Sequence, residues 1–369
     1  LLEFAARKDA PQTLEDYLAG DVPMLALHVT SFTDVTLVGL SWPHPLMDAM
    51  GQKALMEAWS LVLAGRQADV PPMLGANEDM VSALTETHSE VPPEDFEVAK
   101  KQLKGWGMAS FGLRYGWDML RNPTVECKTI FLPKRAVEAL QSRAREDLET
   151  QDGSGDAPFI SEGDVLTAWA ARAIASSLPR PRPLTIVHAV NTRFRFSSLS
   201  KAPGVFVQNM ALGSFTFLSP QAATGPMGRI ALTNRQNLAE QTTQGQLLAF
   251  VRYLKQQSAA ESDPNMVCGE ADALLVPFTN WTKVDVYNAV DFGPAVVRAE
   301  GTETTTTTTP PSRRAPGSLV YHQSQAMRTS PTTRNVVVIM GKDPDGNYWL
   351  SAYLLPRAWA KIEEEMAKM

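Results

Sequence analysis

The chain has 369 residues, 44% of them hydrophobic and 20% charged, which is globular composition with room for a large core or two domains. Its 34 Lys and Arg against 40 Asp and Glu leave a net charge of −6, which argues against a general nucleic-acid binder. Cys127 and Cys268, with no C-x-x-C pair, exclude a disulfide scaffold and a cysteine metal framework, and no apolar run approaches the ~20 residues that cross a bilayer; the expectation is a cytoplasmic protein.

Residues 13–20 read as a short polar-faced helix or turn. Residues 25–42 alternate and are rich in β-branched side chains (Val29, Thr30, Thr33, Val35, Thr36, Val38), which predicts two strands joined near 31–34. The second strand delivers His44 at its end. Pro45 suits the first turn of a helix, where its missing N–H costs nothing, and Ala49, Leu55, Ala58, Trp59, Val62 and Leu63 continue that helix at three-to-four spacing. Residues 65–123 carry Pro71-Pro72 and Pro92-Pro93 and read as a long connection with one or two helical pieces, 94–104 among them.

A strand over 126–132 and an amphipathic helix over 134–148 follow, then a polar loop at 151–157. Ser161-Glu162-Gly163-Asp164 resembles a capping box and opens a helix through 176, which the prolines of 179–183 stop. Residues 185–191 and 210–218 read as strands, with Arg193 and Arg195 after the first. Residues 225–255 read as two helices, and 273–280 and 296–299 as short strands. Residues 301–316 are of low complexity, with threonine at every position from 304 to 309, and read as an exposed loop. Strands over 335–340 and 348–354 flank the turn Asp343-Pro344-Asp345-Gly346-Asn347, and a helix over 357–369 closes the chain. Strands mixed with helices throughout mean α/β or α+β architecture.

The segment richest in chemistry is Ser41-Trp42-Pro43-His44-Pro45-Leu46-Met47-Asp48-Ala49-Met50-Gly51, an H-x-x-x-D-x-x-G pattern at a strand–turn–helix junction. An imidazole can take a proton from a hydroxyl near neutral pH, so His44 is the candidate general base. An isolated histidine is more often structural, and the pattern alone is weak. A second segment adds weight: Thr279-Asn280-Trp281-Thr282 and, downstream, Val286-Tyr287 and Asp291-Phe292-Gly293-Pro294-Ala295.

Together these segments resemble the BAHD acyltransferases, the coenzyme A-dependent family marked by H-x-x-x-D and a later D-F-G-W-G. Pro294 and Ala295 replace the usual Trp-Gly. Val190-Asn191-Thr192-Arg193-Phe194-Arg195 looks like the family's V-[DN]-x-R-x-R, Val205-Phe206-Val207-Gln208-Asn209 is a degenerate Y-F-G-N, and the helix bearing Leu166 and Trp169 is family-like. The resemblance runs in order from about residue 29 to the C-terminus, and the substitutions and threonine-rich insert look fungal. The family normally has a longer segment before the histidine, so a missing N-terminal segment is expected.

The resemblance implies an α/β fold of two chloramphenicol acetyltransferase-like domains, each a mixed sheet flanked by helices, with an active-site tunnel between them. The corresponding division is 1–105, a crossover linker over 106–124, and 125–369. It implies acyl-CoA as co-substrate, no permanently bound cofactor or metal, a small-molecule alcohol or amine as acceptor, and a monomer that binds neither nucleic acid nor membrane. His44 would deprotonate the acceptor, Thr279 and Trp281 would face the oxyanion, and neither cysteine would form an acyl-enzyme. Asp48 would turn away from the reaction and pair with Arg193, with Arg195 second. Gly51, Asp291 and Gly293 would be structural, Phe292 would pack, and Arg313 and Arg314, within a basic stretch that includes Arg328, Arg334 and Lys342, would meet the coenzyme A phosphates. Two alternatives stay open: a degenerate member that binds a small molecule without transfer, and a condensation-domain-like enzyme, whose usual H-H-x-x-x-D-G differs here at Pro43 and Ala49.

Overall fold

The computed structural model describes residues 2–152, 158–259, 266–297, 315–328, 330 and 332–369. In chain order the main elements are β1 Ala26–Ser31, β2 Thr36–Ser41, α1 Ala49–Leu63, β3 Met73–Leu74, α2 Met80–Thr87, α3 Gly105–Arg121, β4 Glu126–Leu132, α4 Lys134–Asp152 and α5 Glu162–Ser176. These are followed by β5 Leu184–Asn191, β6 Val205–Phe206, β7 Ala211–Leu218, α6 Met227–Gln241, α7 Gln244–Ala259, β8 Leu274–Asn280, β9 Val336–Lys342, β10 Tyr348–Leu354 and α8 Pro356–Met366. Most lie where the sequence puts them. The expected strand over 296–299 is not formed at 296 and 297, and 298 and 299 lie outside the described residues, as does the threonine run.

The largest departure is α3, a helix of 17 residues where a connection is expected. Its glycines, Gly105, Gly107, Gly112 and Gly116, weaken the helical signal, because each is about 1 kcal/mol less favourable than Ala in a helix interior. Contacts made by one face, Phe111 against Tyr115 (ring centroids 5.7 Å) and Asp118 to Arg182 (2.6 Å), supply what propensity does not.

Two compact units emerge from the contacts. Unit 1 comprises Leu1–Asn77, Ala202–Asn209 and Val284–Thr329; unit 2 comprises Glu78–Lys201, Met210–Lys283 and Ser330–Met369. The units interleave along the chain rather than following one another as 1–105 and 125–369. Residues 78–105 group with unit 2 and 284–329 with unit 1.

Unit 1 holds the antiparallel pair β1–β2, the helix α1, and a short parallel pair in which Met73 faces Val205. Unit 2 is built on a six-stranded mixed sheet in the order β4-β10-β9-β8-β5-β7. β8 runs parallel to β5 and β9, and the remaining neighbours are antiparallel. Its core lies where α5, rich in alanine and bearing fully buried Val165, Leu166 and Trp169, packs with α4, α6 and α8 around Ile186, Val276 and Leu350. The capping box read from the sequence starts α5: Asp164 N–H donates to Ser161 Oγ (3.2 Å) and Ser161 N–H to Asp164 Oδ2 (2.9 Å).

That cap also anchors a buried polar chain. Asp164 Oδ1 accepts from Asn234 Nδ2 (3.1 Å), and Asn234 Oδ1 accepts from His188 Nε2 (2.8 Å) and the Thr216 hydroxyl (3.3 Å). Burial lowers the His188 pKa, keeping the ring neutral, so it serves as a satisfied core histidine linking β5, β7, α5 and α6.

Candidate active site

His44 sits at the exposed apex of a closed turn in unit 1, between β2 and α1. Three hydrogen bonds and a buried side chain hold that turn. Trp42 Nε1 donates across it to the Met47 carbonyl (3.1 Å), and Leu46 N–H donates to Pro43 O (2.9 Å). Asn209 Nδ2 donates to the His44 carbonyl (2.9 Å), and Met47 is buried beneath. The imidazole projects from this frame and makes no hydrogen bond among the described residues.

Asp48 is the N-cap of α1. Its Oδ1 accepts from the N–H groups of both Met50 and Gly51, each at 3.0 Å, satisfying donors that would have no partner at a helix start. Helix α1 therefore begins at Ala49, and Pro45 lies in the preceding turn rather than in the helix's first turn as its residue type suggested. The cap decides: a carboxylate that satisfies two amides fixes the helix start more firmly than a proline that only tolerates one.

Gly51 has a steric reason. A Cβ there would stand 2.1 Å from the Val207 carbonyl oxygen and 2.7 Å from Met47 Cβ. The segment 205–209, read as a degenerate Y-F-G-N, thus braces the histidine turn twice, through Val207 against Gly51 and Asn209 against His44. Gln208 Nε2 ties the same segment to Gly75 O (2.9 Å). Sequence reasoning gave these residues no task; the signal was present only as their resemblance to a motif.

The D-F-G segment anchors to the same helix. Asp291 N–H donates to Ser60 Oγ (3.0 Å), and Asp291 Oδ1 accepts from Gly293 N–H (2.8 Å), closing a local turn. Phe292 packs edge-on against Trp59 with centroids 5.1 Å apart. Pro294 lies within a 3₁₀ turn, where a proline fits.

Thr279 and Trp281 belong to unit 2, at the C-terminal end of β8. The Trp281 indole N–H donates to Thr279 Oγ1 (3.0 Å). The threonine oxygen is thereby engaged as an acceptor, leaving its own proton to be directed elsewhere. Arg193, 7% exposed, lies in a 3₁₀ turn after β5, where Asn191 Oδ1 accepts from its backbone N–H (2.9 Å) and its Nη1 (3.3 Å).

Within the basic stretch after the threonine run, Arg334 and Lys342 lie apart and have separate partners. Arg313 and Arg314 lie outside the described residues, and Arg328 is exposed in unit 1. Arg334 is buried just before β9 and donates to Asn122 O (3.0 Å); Lys342 ends β9 and pairs with Glu162 (2.7 Å). An intervening strand rising 3.3 Å per residue carries those two roughly 25 Å apart.

Burial pushes the Cys268 thiol up to about 12, and Cys127 faces Ser351 Oγ within the sheet (3.7 Å). Neither cysteine has the exposed, electropositive surroundings of a nucleophile. Among the described residues no three His, Cys, Asp or Glu side chains are placed to hold a metal ion, and no helix is long and apolar enough to cross a membrane.

Residues 8–301 match the model of the Transferase family. The chain belongs to that family. It is a fungal-like BAHD acyltransferase, an enzyme class whose co-substrate is acyl-CoA. The O-acetyltransferase PaAT-2 of Phomopsis amygdali is 36% identical over 100% of this chain and 75% of its own length. Acetyltransferase pyiB of Pyricularia grisea is 34% identical over 97% of this chain and 69% of its own. The structure of F. sporotrichioides TRI101 complexed with coenzyme A and T-2 superimposes with a TM-score of 0.60 at 18% identity, covering 94% of this chain and 69% of that one, which shows a shared fold. The acyltransferase thus has the mixed α/β architecture that its motifs implied.

Proposed function

We propose that this acyltransferase moves an acetyl group from acetyl-CoA to a hydroxyl of a small molecule by direct attack, with His44 as the general base. The observation that carries this reading is the pinned turn: an exposed imidazole on a frame held by Trp42, Asp48, Gly51 and Asn209. As the acceptor oxygen bonds to the thioester carbonyl carbon, its proton passes to His44. The tetrahedral oxyanion then collapses, the C–S bond breaks, and the proton moves to the departing sulfur, releasing coenzyme A as the free thiol.

The Thr279 hydroxyl is read as the donor to that oxyanion, oriented by the Trp281 indole N–H that it accepts. Direct transfer is supported by the buried, high-pKa thiol of Cys268 and by the sheet-bound Cys127. Asp48 is read as a strut whose second role, beyond capping α1, is the charge pairing with Arg193 that the family pattern implies. The acetyl donor and oxygen acceptor are carried over from the similar O-acetyltransferase PaAT-2, and a small metabolite as acceptor from the T-2 complexed with TRI101. A cytoplasmic location completes the reading, supported by the two unpaired cysteines.

The test is thiol release from acetyl-CoA across a panel of alcohols and amines. His44→Ala and His44→Gln should each lower kcat/KM by about 10²- to 10⁴-fold at an unchanged melting temperature. Undiminished turnover in either variant removes His44 as the base, and no thiol release with any acceptor removes the transfer reading.

A further inference from the structure

At the far end of the unit 2 sheet from Thr279, a small recess of about 30 Å³, partly open to solvent, is lined by Arg114, Arg182, Arg334 and Arg357 with Asp118 as the only carboxylate among its lining residues. Leu274 and Leu275 of β8 also line it, so the strand itself separates it from Thr279 by roughly 15 Å at 3.3 Å per residue. Asp118 is committed to Arg182 Nη1 (2.6 Å), and Arg182 Nε donates to the Asp272 carbonyl (2.8 Å). Arg334 lies 5.9 Å from the Tyr115 ring centroid. Arg357 has no ion pair among the described residues, and its Nε is buried with no hydrogen-bond partner.

Four guanidiniums and one carboxylate crowd like charges in a half-buried place, and an unpaired buried donor costs the full desolvation of that group. Burial, with Arg182 and Arg334 alongside, lowers the Arg357 pKa although Asp118 opposes it. Helix α8 adds to the field. Arg357 lies in its first turn, and the N-cap position is Leu355, which offers no side-chain acceptor. A multidentate oxyanion resolves all three features at once, because guanidinium forks from several directions match tetrahedral oxygens.

We propose that this recess, at the opposite end of β8 from Thr279, is a phosphate-binding site which takes inorganic phosphate or the phosphate group of a nucleotide. The site needs neither His44 nor the acyl-transfer reading, so the two stand or fall independently.

Titration calorimetry on the full chain, at ionic strength fixed with chloride, tests it with inorganic phosphate, adenosine 3′,5′-bisphosphate and acetate as separate probes. Wild type should bind inorganic phosphate, the bisphosphate or both, and Arg357→Met should weaken that binding at least tenfold. Arg114 is exposed, so Arg114→Met keeps the fold and should also weaken binding several-fold. Tighter inorganic phosphate binding assigns the site to the free ion, and tighter bisphosphate binding assigns it to a nucleotide. No phosphate binding, binding unchanged in both variants, or acetate binding as tightly as phosphate would each overturn the proposal. So would coenzyme A affinity falling in step with phosphate affinity in Arg114→Met, since the recess would then belong to the co-substrate site.

Discussion

Replacing Gly51 with alanine tests whether the histidine turn depends on the close approach of segment 205–209. The new methyl carbon would meet the Val207 carbonyl oxygen at 2.1 Å and Met47 Cβ at 2.7 Å. Comfortable carbon contacts are about 3.5–4.0 Å, so the backbones must part by about 1 Å, and neither neighbour is the end of a side chain that could rotate away. Overpacking of this kind costs about 1–3 kcal/mol. The displaced segment after β6 carries Asn209, whose amide holds the His44 carbonyl at 2.9 Å. A 1 Å misplacement of a catalytic group can cost about 10²-fold in rate. Gly51→Ala should therefore lower the melting temperature by several degrees and kcat/KM for acetyl-CoA by about two orders of magnitude. Gly20→Ala, where nothing lies within 4 Å of the added methyl, is the control. Asn209→Ala removes the hold without a clash and should lose about tenfold in kcat/KM with little change in stability. If Gly51→Ala matches wild type in both calorimetric melting and thiol-release kinetics, the bracing argument is wrong.

Asp48 separates into cap and charge by two substitutions. Asp48→Asn keeps an oxygen for the Met50 and Gly51 amides, whereas Asp48→Ala loses it, so urea unfolding should show Ala about 1 kcal/mol less stable than Asn. Equal stabilities would mean the cap contributes nothing, and an Asn variant at wild-type stability and activity would remove the proposed charge pairing with Arg193. Acid stability should report on His322, whose pKa burial lowers to about 4 from an ordinary 6.5. The unfolded chain takes up that proton near 6.5 and the folded one only near 4, so stability is full above 6.5 and drains as pH falls toward 4, by at most about 3 kcal/mol. Urea midpoints at pH 7.5, 5.5 and 4.5 should fall more steeply in wild type than in His322→Gln, and parallel slopes would refute the assignment.

Features legible in the sequence were those fixed by neighbours a few residues apart. The box at Ser161 and Asp164 and the hairpin turn closed by Asp343 N–H to Asn347 O (2.9 Å) are formed as their residue types require. So are β4 and the β1–β2 pair, because alternation and turn chemistry are local. Helix α3 was not legible, since its glycines argue against it and its stabilising contacts, to Arg182 and Thr332, come from distant parts of the chain.

For the site, the sequence by itself determined which residue type stands after β2 and which family the motifs belong to, and it made His44 the candidate base. Only the tertiary structure decided what the neighbours of His44 do. Asp48, which the motif alone leaves without a partner in its own segment, closes the start of α1, and Gly51 is small because Val207 passes over it. The arginines of the recess come from four separate stretches of chain, and Arg334 and Lys342, close in sequence, are carried apart by β9. Motif spacing records what a residue is and what lies beside it along the backbone. Hydrogen-bond partners and steric limits come from segments brought together only on folding.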